Sequence, residues 1–220
     1  MRRLFVALTV LAAVLAAWPA RAGDADEYKL LRINGHTVKW GSPRLGRGAV
    51  VTWRIAFERG AAPGQENCRA TAGFDRLLEH AHLSREDAVR AANAAFALWS
   101  KAANIRFVPA GLKDRADITL TAQGEPDGIA FTDVVPSGAA LRRTVVCFNP
   151  QAAWTTAPSG TYRLAYVMAH EIGHAIGLDH PGPNGTLMSF EYDPVRLTLA
   201  PGDGAGAIRL YGPAAELASR

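Results

Sequence analysis

Residues 170–180 of the chain are HEIGHAIGLDH, which is the pattern H-E-x-x-H-x-x-G-x-x-H. Side chains four residues apart on an α-helix project from the same face, so we expect His170 and His174 to direct two imidazole rings to one point. Gly177 can adopt a left-handed conformation, which ends the helix and brings His180 back as a third ligand. Three imidazoles that leave a fourth position open are typical of a catalytic zinc site.

Glu171 completes the pattern as the candidate general base. It follows His170 by one residue, so we expect its carboxylate beside the metal, where it can take a proton from a zinc-bound water. The alternative is a helix that carries histidines by coincidence. Five fixed residues at these offsets would arise by chance about 10⁻⁵ times in a chain of this composition, so we set that alternative aside.

The first 22 residues have the composition of a secretory signal peptide. Arg2 and Arg3 precede an apolar run at 4–17, and residues 20–22 are the A-x-A cleavage pattern ARA. An uncleaved membrane anchor is the alternative, but the apolar run is short for a membrane span. We therefore predict a protein that is secreted to the periplasm or the extracellular space, with no stable membrane association after the signal is removed.

The net charge gives little reason to expect a polyanionic partner. The chain of 220 residues carries a formal net charge of +4. Residues 1–22 hold three of its arginines and no acidic residue, so the mature chain has a net charge of +1. A nearly neutral protein is not expected to bind nucleic acid. No sequence pattern indicates an oligomer, so we expect a monomer.

Cys68 and Cys147 are the two cysteines of the chain. An even pair in an exported protein favours one disulfide. The alternative is that one thiolate binds the zinc and keeps the enzyme latent, but neither cysteine lies in a recognisable latency motif. We therefore predict a disulfide between Cys68 and Cys147.

Local patterns predict the strands. Runs rich in β-branched and aromatic residues indicate strands at 49–57, 105–109, 116–121, 128–135 and 142–148. An Asn34-Gly35 turn within 28–40 predicts a short hairpin, and 41–48 is predicted to be a linker. Residues 59–83 are predicted to be an irregular insertion, in which we interpret His80 and His82 as surface residues rather than a second zinc site.

Helical periodicity predicts the remaining elements. Ser84 and Asp87 form an S-x-x-D capping box, after which Val89, Ala92, Phe96, Trp99 and Ala103 trace one apolar stripe. A second helix at 161–178 carries the histidine pair opposite a stripe of Leu164, Met168, Ile172 and Ile176. A short helix is predicted at 203–211.

The sequence resembles the matrixins, a family of metzincin zinc metalloproteases that includes the matrix metalloproteinases, and we expect a bacterial relative. The variable positions Gly173, Leu178 and Asp179 of the signature are matrixin-like. Met188, a few residues beyond the third histidine, lies where metzincins have their Met-turn. The resemblance extends in pieces from 50 to 212 and includes TWRI at 52–55, ADI at 116–118, Asp203 and LYG at 210–212.

The resemblance implies an α+β fold. A matrixin-like catalytic domain at 48–212 would have a twisted, mostly parallel five-stranded sheet with an antiparallel edge strand and three helices. Residues 23–47 would form an N-terminal segment or linker, and 213–220 a C-terminal tail. The edge strand, within 128–135, would bind a protein or peptide substrate in extended form by β-strand addition.

The resemblance also implies further site residues. Met188 would support the metal from beneath, and Tyr192 would lie in the wall of the pocket beside the scissile bond. Phe190 stands where matrixins usually carry proline. Residues 125–150 lack the histidines of a second zinc site and the acidic run of a calcium site, so we expect one Zn²⁺ ion and do not predict calcium.

These expectations lead to a secreted zinc endopeptidase, in which three histidines hold a zinc-bound water and Glu171 is the general base. Two alternatives remain open. One is a non-catalytic zinc-binding or adhesion module, which would have no need of Glu171. The other is a zinc amidase that acts on cell-wall peptides, because the zinc chemistry would be the same.

Overall fold

The computed structural model describes residues 27–59, 66–111, 115–183, 185–193 and 197–214. The predicted signal peptide at 1–22, part of the predicted insertion and most of the C-terminal tail lie outside the described residues. Within them, no helix is both long and apolar enough to cross a membrane.

The helices are α1 (Asp75–Ala81), α2 (Arg85–Ala102), α3 (Leu164–Ala175) and α4 (Pro201–Tyr211). The strands are β1 (Lys29–Leu30), β2 (Arg32–Ile33), β3 (His36–Thr37), β4 (Ala49–Ile55), β5 (Ile105–Pro109), β6 (Ile118–Ala122), β7 (Ala130–Ser137), β8 (Ala140–Phe148), β9 (Trp154–Thr155), β10 (Tyr162–Arg163) and β11 (Leu178–Asp179).

The central sheet has five strands in the order β5-β4-β6-β8-β7. The pairs β4–β5, β4–β6 and β6–β8 are parallel, and β7 pairs with β8 in the antiparallel direction. This confirms the predicted mostly parallel sheet with an antiparallel edge strand. A register shift between Val135 and Pro136 interrupts the β7–β8 ladder near the end of the edge strand.

Helix α2 begins as predicted, but Val89, which was predicted to belong to its buried apolar stripe, is not buried. The Ser84 side chain accepts from the backbone N–H of Asp87, and the Asp87 side chain accepts from the Ser84 backbone, which completes the capping box. Val89 is 38% exposed. The buried face is instead built largely of alanines with Phe96 and Trp99, because the helix can approach the sheet closely only where its side chains are small.

The described part of the chain contains four helices, one more than the three that the resemblance implied. The additional helix, α1, lies inside the stretch at 59–83 that was predicted to be irregular. It has seven residues, and Phe74, the residue before its first turn, makes no side-chain capping hydrogen bond. Burial of Leu77 and Leu78 in the core stabilises it, and so short a helix leaves little periodic signal in the sequence.

The N-terminal segment packs against the domain that follows it. The predicted hairpin is present as β2 and β3, joined by Asn34 and Gly35 at positive φ. Strand β1 pairs with β11, directly before His180. Trp40 is buried and donates from Nε1 to the carbonyl of Ala175 at 2.8 Å. This segment therefore supports the end of α3 directly.

Lys39 anchors the same segment by a buried ammonium group. Its Nζ donates to the carbonyls of Trp40, Ser42 and Arg47 at 2.8, 2.7 and 3.0 Å. The ammonium also lies 4.7 Å from the centre of the Tyr211 ring. Its side chain is fully buried, and this burial lowers the pKa of Lys39 to about 8.

A disulfide lies on the face of the central sheet that is turned away from the main hydrophobic core. Cys68 and Cys147 are bonded, as predicted, with Cα atoms 5.8 Å apart. Asp133 on β7 accepts from the backbone N–H groups of Asn67 and Cys68 at 2.9 and 2.8 Å. The loop that contains Cys68 is thereby attached to both β8 and the edge strand.

Replacing both cysteines, Cys68→Ser with Cys147→Ser, should lower the free energy of unfolding by about 2–5 kcal/mol, because the unfolded chain loses a long-range constraint. Urea unfolding followed by tryptophan fluorescence measures this change. Wild-type protein unfolded in the presence of a thiol reductant is the control and should show a similar loss. An unchanged midpoint in both samples would refute a structural role for the bond.

The stability contribution of Lys39 should depend on pH. Its pKa is about 8 in the folded protein and is ordinarily 10.5, so between these values the unfolded chain binds more protons. The free energy of unfolding must then rise with pH in this interval. We expect the difference between wild type and Lys39→Met to be flat from pH 6 to 7 and to shift in favour of wild type from about pH 8 to 10.5. Urea unfolding at each pH tests this, and a constant difference would contradict it.

Candidate active site

Helix α3 presents the first two predicted ligands while its other face holds it in the core. Leu164, Met168 and Ile172 on this helix, and Ile176 after it, are fully buried, which confirms the predicted stripe. His170 and His174 are partly exposed. The i, i+4 spacing places both rings on the same face of the helix in successive turns, with ring centres 4.9 Å apart.

Gly177 turns the chain after α3 and returns His180 to the helix. Its φ of +105° is unfavourable for residues with a side chain. A Cβ atom there would also lie 2.2 Å from the carbonyl oxygen of Val38. Two independent constraints therefore require glycine, and the carbonyl of Gly177 accepts from the Leu31 N–H at 2.8 Å.

The three histidines meet at their Nε2 atoms. The distances are 3.1 Å from His170 to His180, 3.2 Å from His170 to His174 and 3.1 Å from His174 to His180. Among the described residues, this is the one group of three potential ligands close enough to share an ion. His36, His80 and His82 are exposed and lie outside it.

The hydrogen bonds of the rings show that this arrangement suits a cation. Nδ1 of His170 lies 2.7 Å from the carbonyl oxygen of Leu187, and Nδ1 of His174 lies 2.9 Å from that of Leu178. A carbonyl only accepts, so in both rings Nδ1 carries the proton and Nε2 presents a lone pair. Tetrahedral Zn²⁺ with bonds of about 2.0–2.1 Å would separate its ligands by about 3.3 Å, close to the spacing found here.

The surroundings favour neutral imidazoles, the form that binds metal. Burial and, to a smaller extent, the positive charge of His170 lower the pKa of His174 to about 3. Burial and the same neighbour also lower the pKa of His180. Protons therefore compete weakly for these two nitrogen atoms at neutral pH.

Glu171 is a buried carboxylate beside the histidines. It is 7% exposed, and its Oε2 accepts from the Thr132 hydroxyl at 2.5 Å. Desolvation raises the pKa of Glu171, while the charge of His170 and the Thr132 hydrogen bond act in the opposite direction. A carboxylate whose basicity is raised in this way is suited to accept a proton.

The loop at Leu187 and Met188 packs against α3 beside the histidines. Asp203 accepts from the backbone N–H groups of Leu187, Met188 and Ala200 at 2.7, 3.0 and 2.8 Å. Met188 is 2% exposed, and its sulfur would lie 2.2 Å from a Cβ placed on Gly173. This loop therefore packs directly against α3 between His170 and His174, which only glycine at 173 permits.

A cleft of about 460 Å³ opens in front of Glu171 and the three histidines. Tyr192, predicted to be a pocket wall residue, lines it and packs edge-on against Tyr166 at 5.0 Å between ring centres. Phe190 also lines the cleft and is 62% exposed. The lining is mainly apolar and includes Ile129, Val134 and Val167.

Sequence patterns missed three residues of this site. Leu31 and Asn67 line the cleft, and Thr132 contacts Glu171. Each lies more than 30 positions from the signature and belongs to no motif. Only the threonine carries a weak signal, as a hydroxyl residue within the predicted edge strand.

Comparisons with known proteins agree on one family. The family model described as Matrixin, a peptidase family, matches residues 71–212. The chain is 35% identical to matrix metalloproteinase-19 of Homo sapiens over 131 residues, which cover 54% of this chain and 25% of that protein. It is 29% identical to karilysin of Tannerella forsythia over 142 residues, which cover 60% of this chain and 30% of that protein. Over 183 residues it is 26% identical to human matrix metalloproteinase-20, covering 78% of this chain and 36% of that protein. The chain thus spans roughly a third or less of the length of most of these relatives.

Asp203→Asn should weaken both the fold and the affinity of the site for Zn²⁺. The amide group of asparagine would place an N–H donor against one of the backbone N–H groups that now donate to the carboxylate, at a loss of about 1–3 kcal/mol. Leu187 would then no longer hold His170 firmly, and loss of such indirect support lowers metal affinity about 10- to 100-fold. Urea unfolding and competition with a chelating dye measure the two effects. Asp127→Asn, an exposed change, is the control, and an unaltered zinc affinity in Asp203→Asn would contradict the prediction.

Proposed function

Because the chain belongs to the matrixin family of peptidases, we propose that it is a zinc endopeptidase in which His170, His174 and His180 bind the metal and Glu171 is the general base. The observation that carries the proposal is the convergence of three Nε2 atoms within 3.1–3.2 Å of one another beside a buried carboxylate. A structural zinc site would lack both the open side and the base.

The residues act in sequence on a peptide held in the cleft. Zinc in a three-histidine site lowers the pKa of a water molecule to about 7 and polarises a carbonyl group. Glu171 accepts the proton of the attacking water and then donates it to the leaving amine. Nδ1 of His170 and Nδ1 of His174, held by backbone carbonyls, keep their rings in the required orientation. Met188 supports α3 from beneath and transfers no proton.

The substrate is an extended peptide. Strand β7 lies at the edge of the sheet, and its free side runs along the cleft, so a peptide can add as a further strand. Main-chain hydrogen bonds then bind the peptide with little regard to most of its side chains. The apolar lining near Val167 and Tyr192 favours an apolar side chain next to the scissile bond.

Secretion and state of assembly are parts of the same proposal. The signal-like residues 1–22 support export to the periplasm or the extracellular space, and the Cys68–Cys147 disulfide suits an oxidising compartment. One Zn²⁺ ion is proposed for the monomer, with no calcium requirement. A non-catalytic zinc-binding module is disfavoured because it would gain nothing from burying Glu171 beside the histidines, and a cell-wall amidase because the edge strand suits extended polypeptides.

Glu171→Gln tests the mechanism, because glutamine keeps the shape of the side chain but cannot accept the proton. We expect zinc content to stay at one ion per chain and peptidase activity to fall by at least about 10²- to 10⁴-fold. Activity is measured on a quenched fluorescent peptide library, and zinc by mass spectrometry of the metal. Glu79→Gln on α1 is the matched control and should remain active.

Three outcomes separate the candidate functions. Loss of wild-type activity with a chelator, and its return with Zn²⁺, supports the peptidase. Hydrolysis of cell-wall cross-link peptides without cleavage of the library would favour the amidase. Zinc binding without either activity would favour the non-catalytic module, and full activity in Glu171→Gln would refute the assigned base.

A further inference from the structure

Thr132 is the third residue of the edge strand β7 and makes contact with the proposed base. Its Oγ1 is 2.5 Å from Oε2 of Glu171 and 3.1 Å from the backbone carbonyl oxygen of the same residue. The single hydroxyl proton can be donated to either oxygen. The shorter distance identifies the carboxylate as the main acceptor, and charged acceptors give the shorter and stronger hydrogen bonds.

Strand geometry explains why this residue, and neither of its neighbours, reaches the base. Successive side chains alternate between the two faces of a sheet. Thr132 is opposite Val146, which belongs to the main core, whereas Asp133 is opposite Val145 on the face that carries the disulfide. Asp133 binds the loop at Asn67, and Phe131 packs against the residues around the disulfide. Of these three adjacent residues, only Thr132 therefore points towards α3.

From this contact we infer that Thr132 is a positioning residue, which fixes the carboxylate of Glu171 for proton transfer; the inference rests on the proposed function. Rotation of a glutamate carboxylate about its last bond is broad, so an unrestrained group would spend time in unproductive orientations. A hydroxyl donor on Oε2 restricts this rotation and leaves Oε1 for the proton. Pre-organised orientation of this kind raises the rate of the chemical step.

The location on β7 gives the contact a second consequence. The same strand is proposed to pair with the substrate, so the peptide and the base would be aligned by one element of the fold. Main-chain groups of the strand serve the peptide, and the Thr132 side chain serves Glu171. A small displacement of β7 would therefore disturb both alignments together.

Two substitutions at Thr132 separate hydrogen bonding from packing. Thr132→Val keeps the shape of the side chain and removes the hydroxyl, and Thr132→Ser keeps the hydroxyl. We expect Thr132→Val to lower kcat about 10- to 100-fold with KM within about twofold of wild type. Thr132→Ser should restore kcat to within about threefold. Zinc content should be the same in all three proteins.

Thr144→Val is the matched control. Thr144 lies on the neighbouring strand, is fully buried, and its hydroxyl has no hydrogen-bond partner among the described residues. The same chemical change there should leave kcat and KM unaltered. A fall in kcat in this control would attribute the effect to general loosening of the sheet and would overturn the inference.

A structural measurement gives a result independent of turnover. Crystal structures of the zinc-loaded proteins should show one orientation of the Glu171 carboxylate in wild type and Thr132→Ser, and a rotated or divided one in Thr132→Val. An unchanged carboxylate in Thr132→Val, or equal activity in Thr132→Val and wild type, overturns the inference. An equal fall in kcat in Thr132→Val and Thr132→Ser also overturns the inference. A loss of activity in Thr132→Val that is explained by a change in KM or in zinc content does so as well. Wild-type protein that binds zinc but cleaves no peptide instead refutes the proposed function.

Discussion

The close approach of three imidazole nitrogens is the constraint on which the rest of the structure depends. Lone pairs on Nε2 atoms at separations of 3.1–3.2 Å repel one another unless a cation lies between them. The protein must therefore hold each ring from outside. The carbonyls of Leu187 and Leu178 do so for His170 and His174, at hydrogen-bonding distance from Nδ1.

Those supports come from distant parts of the chain. Asp203 at the start of α4 fixes the Leu187 peptide, which in turn holds His170. Strand β1 pairs with β11 and so fixes the Leu178 peptide, which holds His174. The N-terminal segment also packs against Gly177 at the turn that returns His180. Segments more than 170 positions apart, β1 at Lys29 and α4 at Asp203, thus cooperate in holding one site, and the fold can be understood as its support.

Local sequence signals predicted much of the fold, and they failed where packing overrides them. The five strands and the start of α2 were predictable because β-branched runs and a capping box act over a few residues. The exposure of Val89 was not predictable from the sequence. Neighbouring apolar residues such as Ala88 and Val89 can each continue an apolar stripe, and only the packing of the helix decides which of them is buried. Helix α1 was missed because seven residues form a stable helix only when Leu77 and Leu78 are buried.

By itself the sequence determined the identity of the candidate ligands and base, the glycine turn that joins them and the one possible disulfide pair. These follow from spacing along the chain or from the number of cysteines, and helix geometry converts spacing into direction. Tertiary structure alone decided that Thr132 touches Glu171, that Asp203 holds Leu187 and that Leu31 lines the cleft. These contacts join residues that no local periodicity relates, because a hydrogen bond depends on distance in space and not on separation along the chain.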